Sequence, residues 1–177
     1  MIHVKTPYRV DKNLGKAYND AFEQVSDDDW IVLRDHDTLF LTHDAIKIIG
    51  GYTALLPDAG LLTCYTNRIH HLAKEQLIDG TPSENDSIRY WQVRAEKQRE
   101  KVYNATEITR EVSGFLMVVC KRTWRKHKFI EQPSPLGVDN DFCWRILSAG
   151  LKIYRMDAVL VWHSYRLNDI TDKSHLR

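Results

Sequence analysis

Short apolar runs alternate with stretches of helical spacing along most of the chain. Ile2-His3-Val4 reads as a strand, stopped by Thr6-Pro7-Tyr8. Leu14, Ala17, Tyr18, Ala21, Phe22 and Val25 then recur on one helical face, which predicts a helix over 13–25 with Asp11 or Asn13 as its cap. Four apolar residues, Trp30 to Leu33, predict a buried strand over 30–34. A short helix is expected from Thr42, closed by Gly50-Gly51, followed by a strand over 60–66. Residues 67–85 read as a loop punctuated by Gly80-Thr81-Pro82-Ser83. A charged helix is predicted over 86–103, with Ile88, Trp91, Ala95 and Val102 only partly defining an apolar face. A strand over 112–120, a helical turn over 123–127 and a loop bracketed by Pro133 and Pro135 come next. A helix over 139–149, with Gly150 past its end, leads to two final strands over 152–156 and 158–162, then His163 and a polar tail. Strands separated by helices, without an all-β rhythm, indicate an α/β fold around a mixed sheet flanked by helices.

Composition narrows the class without naming it. A chain of 177 residues is one domain by length and can bury a real core. The 43% hydrophobic and 28% charged content is that of an ordinary soluble globular protein, and the net charge of +1 gives no global pull toward nucleic acid or membrane. No apolar stretch reaches the length of a bilayer span, and no signal-peptide pattern is evident, which points to the cytoplasm. Cys64, Cys120 and Cys143 are widely spaced and each lies beside apolar residues, so buried free thiols are expected rather than a zinc site.

Candidate chemistry concentrates at element ends. Residues two apart along extended chain share a face, so Asp35 and Asp37 of Asp35-His36-Asp37 point to one side just past a strand. Hard oxygen ligands there suit Mg²⁺ or Mn²⁺, and hence a phosphate-bearing ligand. A solvated acidic turn has the same sequence. Asp139 and Asp141 open a helix, where they serve equally as caps. Arg145 lies at i,i+4 from Asp141 and can pair with it. His163 ends the last strand, and the same residue type fits a satisfied, partly buried histidine. His36 is expected to face away from its neighbours' shared side. Trp30, Trp124, Trp144 and Trp162 read as core, and Trp91 as a sugar-stacking or interface residue on a charged helix.

The order of these signals resembles the GT-A glycosyltransferases, most closely glycosyltransferase family 2. The matching residues are Asp35-His36-Asp37 after a strand, Gly137-Val138-Asp139-Asn140-Asp141 opening a later helix, and His163 near the end. Asn13-Leu14-Gly15-Lys16-Ala17-Tyr18-Asn19 is similar to the family's Asn-x-Gly helix. The likeness covers nearly the whole chain. It implies a compact, Rossmann-like GT-A domain, with 1–66 as the donor and metal half and 67–177 as the acceptor and catalytic half. By resemblance, Asp37 binds Mn²⁺ or Mg²⁺ directly, Asp35 meets the donor ribose or the metal, and His163 completes the metal site. Asp139 matches the catalytic base of an inverting transfer, with Asp141 as runner-up. The implied partners are a UDP- or GDP-sugar and a glycan or glycolipid acceptor.

Two departures go with the likeness. Val138 stands where relatives carry an acidic residue. Only 12 residues precede the Asn-x-Gly helix, where relatives have two βα units, so the chain resembles a short form with a truncated nucleotide-binding part. Donor recognition then falls to Thr6, Pro7, Tyr8, Arg9 and Asp11, beside Asp35 and His36. The mixed charge over 89–101, with a basic excess, is compatible with peripheral contact at the inner membrane surface, although i,i+4 pairing accounts for most of it. No nucleic-acid-reading motif is present. A nucleotidyltransferase and a non-catalytic nucleotide- or sugar-binding scaffold are the rival readings.

Overall fold

The computed structural model describes residues 1–69 and 73–165. Part of the expected 67–85 loop and the polar tail beyond 165 lie outside them. Seven strands form one open, mixed sheet: β1 (Ile2–Lys5), β2 (Trp30–Arg34), β3 (Thr38–Phe40), β4 (Leu61–Thr66), β5 (Ala105–Ile108), β6 (Leu116–Cys120) and β7 (Ile153–His163). Their order is β1-β2-β6-β4-β7-β3, and β5 also pairs with β7. β1 runs parallel to β2, and β4 parallel to β7, while β6 is antiparallel to both of its neighbours.

The central strands are buried on both faces, which is why they read as unbroken apolar runs. Alternation then sorts their side chains. Ile31, Leu33, Leu61, Met117 and Val119 pack with the helices α1 (Leu14–Glu23), α4 (Lys121–Lys126) and α5 (Val138–Ser148). Val32, Leu62, Cys64, Val118 and Met156 face the other way, onto Ile49 and Tyr52 of α2 (Ala45–Leu55). A smaller cluster joins Leu160 and Leu41 to Trp91 and Ala95 of α3 (Ile88–Gln98). Helices therefore cover both faces and leave the carboxyl ends of β2, β4 and β7 at one rim, the edge at which open α/β sheets present their ligand sites.

The Asn-x-Gly segment has a direct physical reading. The Asn13 side chain accepts the Lys16 N–H at 3.0 Å and caps α1. A Cβ on Gly15 would lie 1.8 Å from the Ile130 carbonyl oxygen, so only glycine lets that loop backbone rest on the helix.

Several expectations are corrected. Gly50 and Gly51 lie inside α2 rather than closing it, because the helix presses close there; added Cβ atoms would meet Ile2 and Tyr103 at 3.3 and 3.2 Å. The two expected final strands are one, β7. Its register against β4 jumps from Cys64↔Met156 to Tyr65↔Leu160, and this bulge mimics a break in the sequence. The strand expected over 112–120 begins only at Leu116. The charged helix ends at Gln98 and continues only as a 3₁₀ turn, Arg99–Lys101. A further 3₁₀ turn, Lys74–Gln76, falls in the expected loop. β3 and β5 are short strands that only pairing to β7 defines. Trp91 is 0% exposed and donates its indole N–H to the Asn85 carbonyl at 2.7 Å, so it is core and not a surface. Trp144, expected in the core, is 58% exposed. The three cysteines are free and buried, as their surroundings predict. Among the described residues no helix is long and apolar enough to cross a membrane.

Candidate metal centre

The link Asp35-His36-Asp37 leaves β2 and carries the chain across the rim to β3, at the far edge of the sheet. Its turn is fixed by the Thr38 N–H and hydroxyl, which both donate to the Asp35 carbonyl at 3.2 and 2.7 Å. β3 pairs antiparallel with β7 and sets Thr38 opposite His163. The Ser164 N–H donates to the Asp37 carbonyl at 3.0 Å and ties the two strand ends together.

As a result, one ligand atom from each of Asp35, Asp37 and His163 lies within 4.8 Å of the others. The carboxylates come from the front half of the chain and the imidazole from the back half. His163 is buried, Asp35 and Asp37 are half-buried, and His36 is exposed to solvent. The His163 ring stacks on Phe115, with centroids 5.5 Å apart. Its Nδ1 lies 3.0 Å from the Arg68 carbonyl, which only accepts. Nδ1 is therefore assigned the proton, and Nε2 faces the Asp37 Oδ1 at 3.3 Å. Two acceptors at that separation need a proton or a cation between them.

The electrostatics agree. Burial pushes the Asp35 carboxyl up to about 6; His163 opposes this, while the charges of Asp37 and Asp139 add to it. Burial also acts to raise Asp37; when His163 carries both ring protons, its hydrogen bond and charge, with help from His36, hold the carboxyl below the usual value, and the neutral ring offers its Nε2 lone pair instead. Two carboxylates and an imidazole lone pair converging at a half-buried, negatively charged corner fit Mn²⁺ in donor type and charge, and the carboxylates suit Mg²⁺ as well.

Asp139 stands beside this cluster. Its Oδ2 accepts the Gly114 N–H at 2.8 Å, and the adjoining Phe115 carbonyl accepts the Asp35 N–H at 3.0 Å. A Cβ on Gly114 would lie 2.9 Å from that of Asp139, so the glycine allows the approach. Asp141 instead accepts two hydrogen bonds from Arg145, at 2.9 and 2.7 Å, one turn along α5. Gly137, in the left-handed region at φ 81°, takes the cap position of α5, and neither aspartate fills it.

Thr6, Pro7, Tyr8, Arg9, Asp35 and His36 share a cavity of about 230 Å³ with Lys12, Leu14 and Pro135. Asp35 thus belongs both to this cleft and to the ligand cluster. Asp11 lies outside it and holds the Arg9 guanidinium at 2.8 Å, while Asp20 takes a further Arg9 N–H at 3.2 Å. Sequence reasoning missed Asn67, Arg68, Gly114 and Phe115. Asn67-Arg68 carried a usable signal, being a polar pair directly after a buried strand, as Asp35 is after β2. No protein-family model and no curated protein matches the chain.

Proposed function

We propose that the chain is a metal-dependent, inverting glycosyltransferase of the GT-A type, similar to family 2. It moves a sugar from a nucleoside-diphosphate donor to a hydroxyl of a glycan or glycolipid. The observation that carries this reading is the convergence of Asp35, Asp37 and His163 within 4.8 Å, beside Asp139 and at the end of a cleft. Asp37 and His163 hold Mn²⁺ or Mg²⁺, and Asp35 holds it or meets the donor ribose. A bound cation supplies positive charge against the diphosphate leaving group. Thr6, Tyr8 and Arg9 line the donor's path to Asp35. Asp139, oriented by the Gly114 N–H, takes the proton of the acceptor hydroxyl. The acceptor oxygen then bonds to the anomeric carbon as the carbon–oxygen bond to the diphosphate breaks.

Calorimetric titration with UDP and GDP, with and without Mn²⁺, tests this reading. The expected result is nucleotide binding that appears only with the metal. Equal heats with and without Mn²⁺ contradict it.

A further inference from the structure

The chain after β4 carries a buried polar pair that the proposed chemistry does not use. Asn67 is 1% exposed and clasps the main chain of His163 with its whole amide. Its Oδ1 accepts the His163 N–H at 2.7 Å, and its Nδ2 donates to the His163 carbonyl at 3.3 Å. The Thr66 hydroxyl donates to the same Oδ1 at 3.2 Å and fixes the amide's orientation. The next residue, Arg68, offers its carbonyl to the His163 Nδ1. Its buried guanidinium donates to the Ser164 carbonyl at 3.2 Å and to the Ser83 carbonyl at 2.8 Å, and it pairs with Asp86. Ordinary strand pairing between β4 and β7 reaches only Thr66↔Val161. Beyond it, side chains take over the role of the ladder and carry the alignment two residues further, to His163.

Burying an arginine and an asparagine amide is costly unless every polar atom is satisfied. Here the Asn67 amide is satisfied by the main chain of His163 and the Thr66 hydroxyl, and the Arg68 guanidinium by Ser164, Ser83 and Asp86. From this we infer that Asn67 and Arg68 are positioning residues that lock His163 into the Nδ1–H tautomer, with Nε2 aimed at Asp37. Asn67 holds the backbone, the Arg68 carbonyl selects the tautomer, and the Arg68 side chain anchors the chain that follows. Such outer partners of a ligating histidine typically alter metal affinity about 10–100-fold. The inference rests on the proposed metal-dependent reading for its purpose but not for its geometry.

The test uses the full chain. Nitrogen-15 NMR of the metal-free protein at alkaline pH reads the His163 tautomer, and Mn²⁺ titration followed by electron paramagnetic resonance reads affinity. The unaltered protein is expected to show Nδ1–H. Asn67→Ala is expected to mix the tautomers and weaken Mn²⁺ binding about 10–100-fold. Gln98→Ala removes another buried amide, one that donates to the Asp157 carbonyl at 2.6 Å away from the cluster. It should lower the melting temperature and leave Mn²⁺ affinity unchanged. An Nε2–H tautomer in the unaltered protein overturns the inference even if Asn67→Ala does not fold. Unchanged Mn²⁺ affinity in a folded Asn67→Ala overturns it as well. If the unaltered protein shows Nδ1–H and binds no Mn²⁺, the latch stands and the functional reading fails.

Discussion

The two ends of the candidate site are built differently. At the end formed by Asp35, Asp37 and His163, His163 is held at its backbone, its Nδ1 and its ring face, and Asp35 through its amide. At the cleft end, Thr6 to Asp11 form a largely exposed loop whose arginine is already occupied by Asp11 and Asp20. The cavity there is about 230 Å³, below the usual range for a preformed small-molecule site. On the proposed reading, the fold pre-organises charge for a cation and leaves donor recognition to a lightly committed loop. Rigidity at the cluster end also has an energetic cost, visible in the raised Asp35 carboxyl.

The largest expected effect concerns the proposed base. Asp139→Asn should lower transfer about 10²–10⁴-fold while leaving Mn²⁺ and nucleotide binding in place, because it removes a proton acceptor and no cation ligand. Donor turnover and calorimetry on one sample check this. Asp37→Ala should weaken Mn²⁺ binding at least about 100-fold and abolish metal-dependent nucleotide binding with it, since one of few anionic ligands is lost. Retained turnover in both variants would break the assignment of roles within the metal end.

Asp35→Asn separates stability from function. The Asp35 carboxyl rises from its ordinary 3.8 to about 6, so the folded chain holds this proton more tightly than the unfolded chain does. That contribution is fully present below pH 4 and is lost as pH rises through about 6. Above that, the metal-free protein carries an unfavourable buried charge. Asp35→Asn should therefore stabilise the metal-free protein by about 1–3 kcal/mol at neutral pH while weakening Mn²⁺ binding. Thermal melts from pH 4 to 8 check the sign, and Mn²⁺ affinity in the unaltered protein should fall as pH drops below about 6. A stability loss in the variant would mean that the carboxylate is structurally satisfied. The smallest effect belongs to the other end. Arg9→Ala should leave stability almost unchanged, because exposed ion pairs contribute little. A large loss of nucleotide affinity in that variant would show that the loop is more committed to the donor than its internal pairing implies.

The sequence already displayed the parts of this architecture that depend on local pattern. The Trp30–Leu33 run forms a buried strand and Asn13 caps the helix that follows β1, as their residue types require, and Asp35 and Asp37 lie together just past β2. What stayed hidden depends on long-range pairing. β3 is three residues long and is a strand only because β7 lies beside it. The β7 bulge looked like a break because Asp157 interrupts its apolar run. Trp91 sits among charged neighbours, yet its own helical face turns inward to Leu160. Gly114 and Asn67 gain meaning only once Asp139 and His163 are beside them.

On the proposed reading, Asp37 and His163 grasp one cation from opposite halves of the chain. Anomalous diffraction from crystals soaked in Mn²⁺ measures it most directly. The expected result is a single strong peak bonded to an Asp37 carboxylate oxygen and to His163 Nε2. A peak elsewhere, or none at saturating metal, contradicts it.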